Sequence, residues 1–246
     1  MYIGNNNVHG LHHLLLEVLD NSVDECTSGN ADRIIVTIEK NGTVKIEDDG
    51  RGMPIEWKDD SQMSALTQVH VKPHAGGKFG GDDSAYSSSG GLHGIGLKCT
   101  NAFSEFLEVE VHRYGLKFRQ RFENGGIPAT EVEIFDANDK KVGEILEGVT
   151  LNIPKRGIAT GITTHGKRVN VEGDSKLGTG TITRFRPNRN WFTKDMNWPN
   201  PKKHIPWNFD RLDTRFRQIA HLFPGVVIAF HDFQSKPNRH EIYQSK

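Results

Sequence analysis

Residues 10–26, GLHHLLLEVLDNSVDEC, decide how the rest of the chain is interpreted. The apolar residues of this stretch recur every three or four positions, which is the spacing of one helix face. They are Leu11, Leu14, Leu15, Val18 and Leu19. The stretch therefore predicts an amphipathic helix whose leucine face is buried against a core.

The opposite edge of the same helix is polar within an arc of roughly 100°. It carries His13, Glu17, Asp20, Asn21 and Asp24. Alone, such an edge is typical of a solvated helix face. The mixture of residue types favours a second interpretation, because a histidine precedes the glutamate by four positions and an amide follows it by four, so that their side chains can touch. An imidazole, a carboxylate and a neutral amide oxygen suit a site for a hard cation such as Mg²⁺.

Beyond this helix the chain predicts two strands and a turn. Residues 33–40 are rich in β-branched side chains, Asn41-Gly42 supplies a hairpin turn, and residues 43–47 return as a second strand. The motif DDGRGMP, residues 48–54, then breaks the strand. Its glycines let the backbone approach a flat ligand, and a carboxylate there can accept from an exocyclic amine. Alone, the motif is an acidic turn.

A long segment without a core of its own follows. Residues 57–71 predict a short helix, and residues 72–96 are rich in Gly, Ser and Asp, which is typical of a functional lid or of disorder. The segment ends in SGGLHGIG, residues 89–96, from which a helix is predicted to run to residue 103. Backbone N–H groups of such a turn can bind an anion. The run matches neither the Rossmann nor the Walker pattern.

The second half of the chain is mostly strands. An antiparallel meander is predicted over residues 107–113, 116–123 and 130–135, a strand over residues 179–186, and a helix over residues 209–223. Residues 225–232 predict a closing strand, and residues 149–178 form an extended insertion without assigned structure. These elements indicate one α+β domain, residues 1–246, built as a two-layer sandwich of a mixed, mostly antiparallel sheet covered by helices.

Composition indicates an ordinary globular chain, with 35% hydrophobic and 25% charged residues among 246. The longest apolar stretches are too short to span a bilayer, and no signal peptide opens the sequence. Cys26 and Cys99 form no metal motif or disulfide framework, which fits a reducing cytoplasm.

Net charge is zero, but residues 155–217 hold fourteen Lys and Arg against five Asp and Glu. A solvated basic face is favoured there over a DNA-facing patch, with Arg184, Arg186 and Arg189 keeping the second possibility open.

Taken in order, the motifs resemble those of the GHKL ATPases, specifically the ATPase domain of bacterial-type type IIA DNA topoisomerase B subunits, found in gyrase and topoisomerase IV. Residues 10–25 resemble the first motif, residues 48–54 the second, residues 74–79 the start of the ATP lid, residues 90–96 the third motif, and residues 179–181 the fourth. Residues 1–4 resemble the segment that leads into the domain. The likeness covers most of residues 1–135 and 176–233.

This resemblance implies the Bergerat fold and a role for each matching residue. Glu17 is expected to be the general base that polarises the attacking water, His13 to hold Glu17, and Asn21 to ligate Mg²⁺. Asp48 is expected to read the adenine amine with the help of Thr181. The other implied ligands of ATP wall the pocket, sit at its mouth or close over the phosphates. They are Arg51, Gly52, Met53, Pro54, Lys78, Gly91, Leu92, His93, Gly94, Ile95, Gly96 and Arg119.

The resemblance also implies partners. A full-length enzyme of this family dimerises on binding ATP, gates DNA passage, works with an A-type breakage-reunion subunit and is inhibited by aminocoumarins. The family's N-terminal arm and its transducer domain are expected to lie outside this chain, which would then be a monomer that binds ATP and turns it over slowly. Gyrase and topoisomerase IV stay unseparated, because different motifs favour each. Residues 149–178 exceed the family pattern, and residues 86–89 are unusually rich in serine.

Two other classes of function stay open. A mismatch-repair or chaperone ATPase, or a histidine-kinase domain, shares the implied fold, although the histidine and the glycine lid disfavour these proteins and a kinase does not need Glu17 for water. A nucleotide-sensing or DNA-binding module that does not hydrolyse ATP is the third possibility, and it would use the basic residues 155–217.

Overall fold

The computed structural model describes residues 6–72, 95–154, 157–192, 205 and 207–245. Within these ranges the helices are α1 (Val8–Thr27), α2 (Ala65–Val71), α3 (Gly96–Ala102) and α4 (Phe209–Leu222). The strands are β1 (Arg33–Ile38), β2 (Val44–Asp48), β3 (Trp57–Lys58), β4 (Met63–Ser64), β5 (Ser104–Arg113), β6 (Leu116–Glu123), β7 (Ile127–Pro128), β8 (Val132–Phe135), β9 (Lys141–Ile145), β10 (Val149–Asn152), β11 (Gly161–Thr164), β12 (Lys167–Val169), β13 (Gly180–Pro187), β14 (Val227–Asp232) and β15 (Arg239–Gln244). No helix in this described part is long and apolar enough to cross a membrane.

A ten-stranded sheet forms the base of the molecule. Its order is β15-β14-β1-β2-β13-β5-β6-β8-β9, with β7 beside β6. β1 and β14 run parallel, and the other pairs of this sheet are antiparallel. The predicted α+β class, a mixed and mostly antiparallel sheet covered by helices, is therefore confirmed.

Helix α1 is stabilised by a cap at its N-terminus and by the burial of its apolar face. The Asn7 side-chain oxygen accepts hydrogen bonds from the backbone N–H groups of His9 and Gly10, which satisfies the free donors of the first turn. The leucines of the predicted face are fully buried against β1, β2 and β13. Burial of one such side chain stabilises the fold by roughly 1.5–3 kcal/mol. The sequence prediction for α1 is confirmed.

Helix α3 packs beside α1, and α2 packs on α3; buried polar side chains hold these helices together. The Thr100 hydroxyl in α3 donates to the backbone oxygen of Leu14 in α1, at 3.0 Å. The Asn101 amide donates to the backbone oxygens of His70 in α2 and Gly126 after β6. Because these side chains are buried, each bond replaces a costly unpaired polar group. The start of α3 is thereby fixed against α1.

Helix α4 covers the other end of the sheet. Phe216 of α4 packs edge-on against Phe230 of β14, with ring centroids 4.9 Å apart. His12 joins α4 to α1: one ring nitrogen lies 2.7 Å from the Val8 oxygen, and the other accepts from the Asn208 N–H at 2.9 Å. Burial lowers the pKa of His12 to about 4, so the ring is neutral at pH 7. This buried histidine is a structural link between the two helices.

Residues 149–178 contain a small three-stranded sheet, β10-β11-β12. The insertion is docked on the turn between β5 and β6: the Ala159 N–H donates to the Tyr114 oxygen, and the Asp174 N–H donates to the Gly115 oxygen, both at 2.9 Å. A Cβ on Gly115 would lie 2.7 Å from the Asp174 nitrogen, so glycine is needed for this close approach. The described residues of this segment, which the sequence left unassigned, thus extend the meander.

One prediction of local structure is confirmed and another is corrected. Residues 57–71 contain the predicted short helix, which starts at Ala65 after the hairpin β3–β4; the Ser64 hydroxyl caps it by accepting from the Thr67 N–H. The strand at residues 225–232 does not close the sheet, because β15 pairs with its free edge. β15 has only one buried residue, Tyr243, and so lacked the alternating pattern that indicates a strand.

Candidate functional site

The polar edge of α1 faces the start of α3. A Cβ built on Gly96 would lie only 1.7 Å from the Glu17 Oε2, so the carboxylate lies directly against this glycine. Burial raises the pKa of Glu17 above its ordinary value. The structure therefore brings Glu17 together with the last residue of the predicted glycine-rich loop.

The two polar neighbours of Glu17 on the helix differ in their surroundings. The Asn21 side-chain N–H donates to the Glu17 backbone oxygen at 2.8 Å, which fixes the amide one turn further along. Within the described residues the Asn21 side-chain oxygen accepts no hydrogen bond, and it is free to bind a cation. His13 is exposed, and no hydrogen bond joins it to Glu17 in this part of the chain. The structure therefore holds the Asn21 amide one helical turn from Glu17. It shows no hydrogen bond, among the described residues, by which His13 would position Glu17.

The Asp48 carboxylate lies at the end of β2 on the helix side of the sheet. Its Oδ2 accepts from the Ser22 hydroxyl at 2.8 Å, and its Oδ1 accepts from the N–H groups of Gly50 and Thr181 at 3.1 and 3.2 Å. Burial raises the pKa of Asp48, and these three hydrogen bonds oppose that rise. Thr181, 7% exposed, pairs directly with Asp48 across the sheet. The predicted pair of Asp48 and Thr181 is therefore adjacent.

The turn after β2 is closely packed at Gly52. A Cβ on Gly52, where φ is +78°, would lie 2.9 Å from Val111 Cγ1 and 2.8 Å from Arg113 Cγ. Arg113 also donates to the backbone oxygen of Met53 at 3.3 Å. Met53 and Pro54 are half-buried, and Met53 packs on the core beside this turn. Gly52 to Pro54 thus form a close-packed wall next to Asp48.

Arg51 is held by Glu25, a residue that the sequence motifs did not single out. The Glu25 carboxylate is 7% exposed and accepts from the Arg51 Nη2 at 2.8 Å and from the Arg51 Nε and backbone N–H at 3.2 Å each. Such a forked pair fixes the plane of the guanidinium. Ser22 was missed in the same way. Both lie on the buried, leucine-bearing face of α1, and only the fold shows which strand they meet.

Several predicted residues lie outside the described ranges. They are Lys78, Gly91, Leu92, His93 and Gly94, together with most of the predicted lid at residues 72–96 and residues 1–4. Ile95 and Gly96 are described, as the N-cap and first residue of α3. Of the glycine-rich loop, only its junction with α3 is therefore placed.

Arg119 lies on the other face of the sheet from Asp48. In the strand register, Thr181 is level with Val111 and Phe118 on the helix side, whereas Arg119 pairs with Glu110 on the outer side. Neighbouring residues of a strand point to opposite faces. Arg119 donates to Glu110 and to Asp139, at 2.5 Å for the latter, and lies over the Phe135 ring. The structure therefore does not bring Arg119 together with the residues around Asp48.

The outer face is a grid of ion pairs. Arg184 forms a forked pair with Glu39 at 2.8 and 2.9 Å, and Arg186 lies 3.3 Å from Glu105. Arg121 bonds Glu108 and Glu123. Because carboxylates neutralise Arg184 and Arg186, these two arginines fit a solvated face better than a DNA-binding patch.

Comparison with known proteins shows what this arrangement is similar to. The family described as histidine kinase-, DNA gyrase B- and HSP90-like ATPases matches residues 6–123. The B subunit of DNA gyrase from Thermotoga maritima is 39% identical over 232 residues, which are 94% of this chain and 28% of that protein. The B subunit of DNA topoisomerase 4 from Staphylococcus epidermidis is 38% identical over 243 residues, 99% of this chain and 29% of that protein. The chain thus spans less than a third of the length of these relatives.

A solved structure with the same fold covers the whole chain. It is the 43K ATPase domain of Thermus thermophilus gyrase B in complex with an aminocoumarin, with a TM-score of 0.66 and 26% identity over 100% of this chain and 49% of that one. The residues matched by the family, 6–123, include Glu17, Asn21 and Asp48 of the site. The chain therefore belongs to the histidine kinase-, DNA gyrase B- and HSP90-like ATPases, and within them is homologous to the ATPase region of the B subunits of gyrase and topoisomerase IV.

Proposed function

We propose that this chain binds ATP with Mg²⁺ and hydrolyses it, as the ATPase region of a type IIA DNA topoisomerase. The observation that carries the proposal is the position of the Glu17 carboxylate against Gly96, on the same helix that supplies Ser22 to the half-buried Asp48. One helix thus reaches both a base-binding carboxylate and a carboxylate able to act on water. Positioning of this kind supplies most of the catalysis in phosphoryl transfer.

Asp48 is the residue suited to recognise adenine. Its three hydrogen bonds come from donors on the protein, and each favours the ionised carboxylate. An ionised carboxylate accepts strongly from the exocyclic amine of adenine, whereas the carbonyl of guanine at that position would face it without a proton. Thr181 lies beside Asp48, with Gly52, Met53 and Pro54 as the wall. The pocket therefore favours ATP over GTP.

The residues present fit a magnesium ion. Among the described residues nothing donates to the Asn21 amide oxygen, which lies one turn from Glu17, and Mg²⁺ takes hard oxygen ligands and shares them with phosphates and water. When bound, the ion neutralises charge on the phosphates. Asn21 would hold it, and the residues from Gly91 to Gly96, with Lys78, are proposed to contact the phosphates.

Glu17 is proposed to polarise the attacking water. Burial raises the pKa of Glu17, which makes its carboxylate a stronger base. It would accept a proton from water at Oε1 or Oε2 and hold it on the side of Gly96. His13 remains the proposed positioning residue for Glu17, acting once a nucleotide is present.

The remaining proposals concern the longer protein. The chain, one ATPase domain over residues 1–246 with a lid at about 72–96, would act in the cytoplasm in a polypeptide that dimerises on ATP binding, gates DNA passage and works with an A-type subunit. The aminocoumarin in the Thermus thermophilus complex supports binding of that inhibitor class here. The homology to both B subunits supports the DNA and A-subunit partners and does not separate gyrase from topoisomerase IV.

The test is Glu17→Ala, measured for hydrolysis in this chain joined to the rest of a B subunit and for ATP-analogue affinity in this chain. We expect turnover to fall by ~10²–10⁴-fold, because general-base assistance is lost. Affinity should stay within a few fold, because Glu17 acts on water. The control is Glu147→Ala, which removes an exposed glutamate. Unchanged turnover in the Glu17 variant would favour a nucleotide-sensing module that does not hydrolyse ATP.

A further inference from the structure

Two histidines face each other on the outer side of the sheet, far from the proposed nucleotide site. His231 of β14 and His240 of β15 are directly paired across antiparallel strands. One Nδ1 donates a hydrogen bond to the other at 2.8 Å, and the ring centroids are 5.0 Å apart. On β14, the neighbours Phe230 and Asp232 are buried on the helix side, which places His231 on the outer face. Asp48 lies on the helix side and belongs to β2, two strands from β14 in the sheet order.

The pair is held in place by its surroundings. Cross-strand pairing fixes the two Cα atoms, and the Phe233 ring lies edge-on to His240 with centroids 5.6 Å apart. His240 is exposed and His231 partly exposed, so the nitrogens can be reached from solvent. Among the charged groups near His231 are Lys45 and Glu47, which are themselves joined by a salt bridge of 2.6 Å. The fold therefore presents two imidazole nitrogens at one exposed point.

An ion held by both rings takes the place of the proton in this hydrogen bond, and the donor ring then carries its proton on Nε2. The separation of the nitrogens favours one coordination geometry for such an ion. With metal–nitrogen bonds of about 2.1 Å, two nitrogens 2.8 Å apart subtend an angle of about 85° at the metal. Square-planar and octahedral ions place neighbouring ligands close to 90°, whereas tetrahedral coordination needs nitrogens about 3.4 Å apart. Imidazole ligands in tetragonal arrangement are typical of Cu²⁺ and Ni²⁺.

We propose that His231 and His240 form a two-nitrogen binding site for a divalent transition-metal ion with cis coordination, such as Ni²⁺ or Cu²⁺. No group of three or more His, Cys, Asp or Glu suited to a metal is found among the described residues, so water completes the coordination shell. A bound ion joins β15, the edge strand, to β14 by a second link besides the backbone ladder. Binding stabilises the folded chain, because the unfolded chain does not hold the two rings together.

The test is titration of the chain with Ni²⁺ by calorimetry, for the wild type and for His231→Thr and His240→Thr. Threonine keeps the strand preference of each position. We expect one ion per chain, with an affinity that falls by ~10²-fold in either variant, since two linked ligands bind more tightly than one by at least this factor. The control is His221→Ala, which removes an exposed histidine on α4 and should leave the affinity unchanged.

A second measurement needs no variant. Electron paramagnetic resonance of the wild-type chain with one equivalent of Cu²⁺ should show hyperfine coupling to two imidazole nitrogens in the equatorial plane. Ni²⁺ affinity that is the same in both threonine variants as in the wild type would refute the site. A Cu²⁺ spectrum with a single imidazole nitrogen would refute it independently.

Discussion

At the scale of single residues, Asp48 gives the sharpest prediction, because its two oxygens have different partners. In Asp48→Asn, the amide oxygen can still accept from Gly50 and Thr181, and the new N–H₂ can donate to the Ser22 oxygen. The fold should therefore survive. Recognition of adenine should not, since a neutral amide accepts more weakly than a carboxylate.

We expect the Asp48→Asn variant to bind ATP analogues ~10- to 10²-fold more weakly, which corresponds to loss of a hydrogen bond to a charged group. Affinity for an aminocoumarin should fall together with it. Calorimetry on this chain measures both, and Asp60→Asn, at an exposed position, is the matched control. Wild-type affinity for ATP in the Asp48 variant would remove this residue from adenine recognition.

Gly96 is the second residue whose replacement separates activity from stability. An alanine Cβ would meet the Glu17 Oε2 at 1.7 Å and its Cδ at 2.5 Å, so Gly96→Ala must displace the carboxylate. The carboxylate is the end of a flexible side chain, and alanine favours a helix over glycine by ~0.5–1 kcal/mol. We expect little change in melting temperature and a loss of hydrolysis of ~10²-fold or more.

Gly178→Ala is the control for this prediction, because a Cβ there meets nothing within 4 Å. Hydrolysis is measured in this chain joined to the rest of a B subunit, and thermal unfolding in this chain alone. A Gly96→Ala variant with wild-type turnover would show that Glu17 does not need its position against α3.

At the scale of helices and strands, the ionisation of Asp20 in α1, opposite Arg215 of α4, makes the stability of the fold depend on pH. Burial raises the pKa of Asp20 to about 6 from 3.8, and Arg215 of α4 opposes the rise. Because the pKa is raised in the folded chain, the resulting stability is fully present below about pH 4 and is lost as the pH rises to about 6. Above that window the folded chain carries an ionised, half-buried carboxylate.

Asp20→Asn should therefore increase the free energy of unfolding by about 1–2 kcal/mol at pH 7.5, a value reduced for partial exposure and for the nearby arginine. Near pH 4 the variant and the wild type should be equally stable. Urea unfolding across this pH range measures the difference. A destabilised variant at pH 7.5 would show that the attraction between Asp20 and Arg215 exceeds the desolvation cost.

The elements that the sequence predicted well are those with a local pattern. α1 follows from leucine spacing, and β6 was predicted with the bounds that it has, Leu116–Glu123, because apolar and polar residues alternate along it. β15 was missed because tertiary contacts, rather than a local sequence pattern, hold it as a strand. It is held by β14, by the Tyr243 hydroxyl donating to Asp213, and by Arg239 beside Asp210. No pattern within six residues shows such contacts.

For the site too, the sequence predicted what local geometry determines and missed what depends on tertiary contacts. Glu17 and Asn21 share a helix edge, and that relation depends only on helix geometry. Which strand meets Ser22, and which face of the sheet carries Arg119, depends on pairings between distant segments. A shift of one residue in register reverses the face of every side chain in a strand. The position of Arg119 was therefore outside the reach of the sequence.

At the scale of the whole molecule, the proposed site lies where the layers meet. α1 provides Glu17 and Asn21, α3 provides Gly96, and the sheet provides Asp48 and Thr181. α1 is also joined to α3 by Thr100 and to α4 by His12. A ligand that contacts both layers binds only the folded chain, so its binding free energy adds to the stability of the whole domain.

This linkage makes the magnesium proposal measurable as heat stability. At an ATP-analogue concentration of 100 times Kd, with Mg²⁺, the folded chain should gain about 2.7 kcal/mol. For a chain of this size that corresponds to a rise in Tm of roughly 5–10 °C.

If the Asn21 oxygen holds Mg²⁺, Asn21→Ala should show the same small rise with or without EDTA, whereas the wild type should lose most of its rise when EDTA is added. Asn138→Ala, at an exposed loop position, should behave as the wild type does. A wild-type rise that EDTA leaves intact would mean that the nucleotide binds here without the ion, and Asn21 would then have no metal to hold.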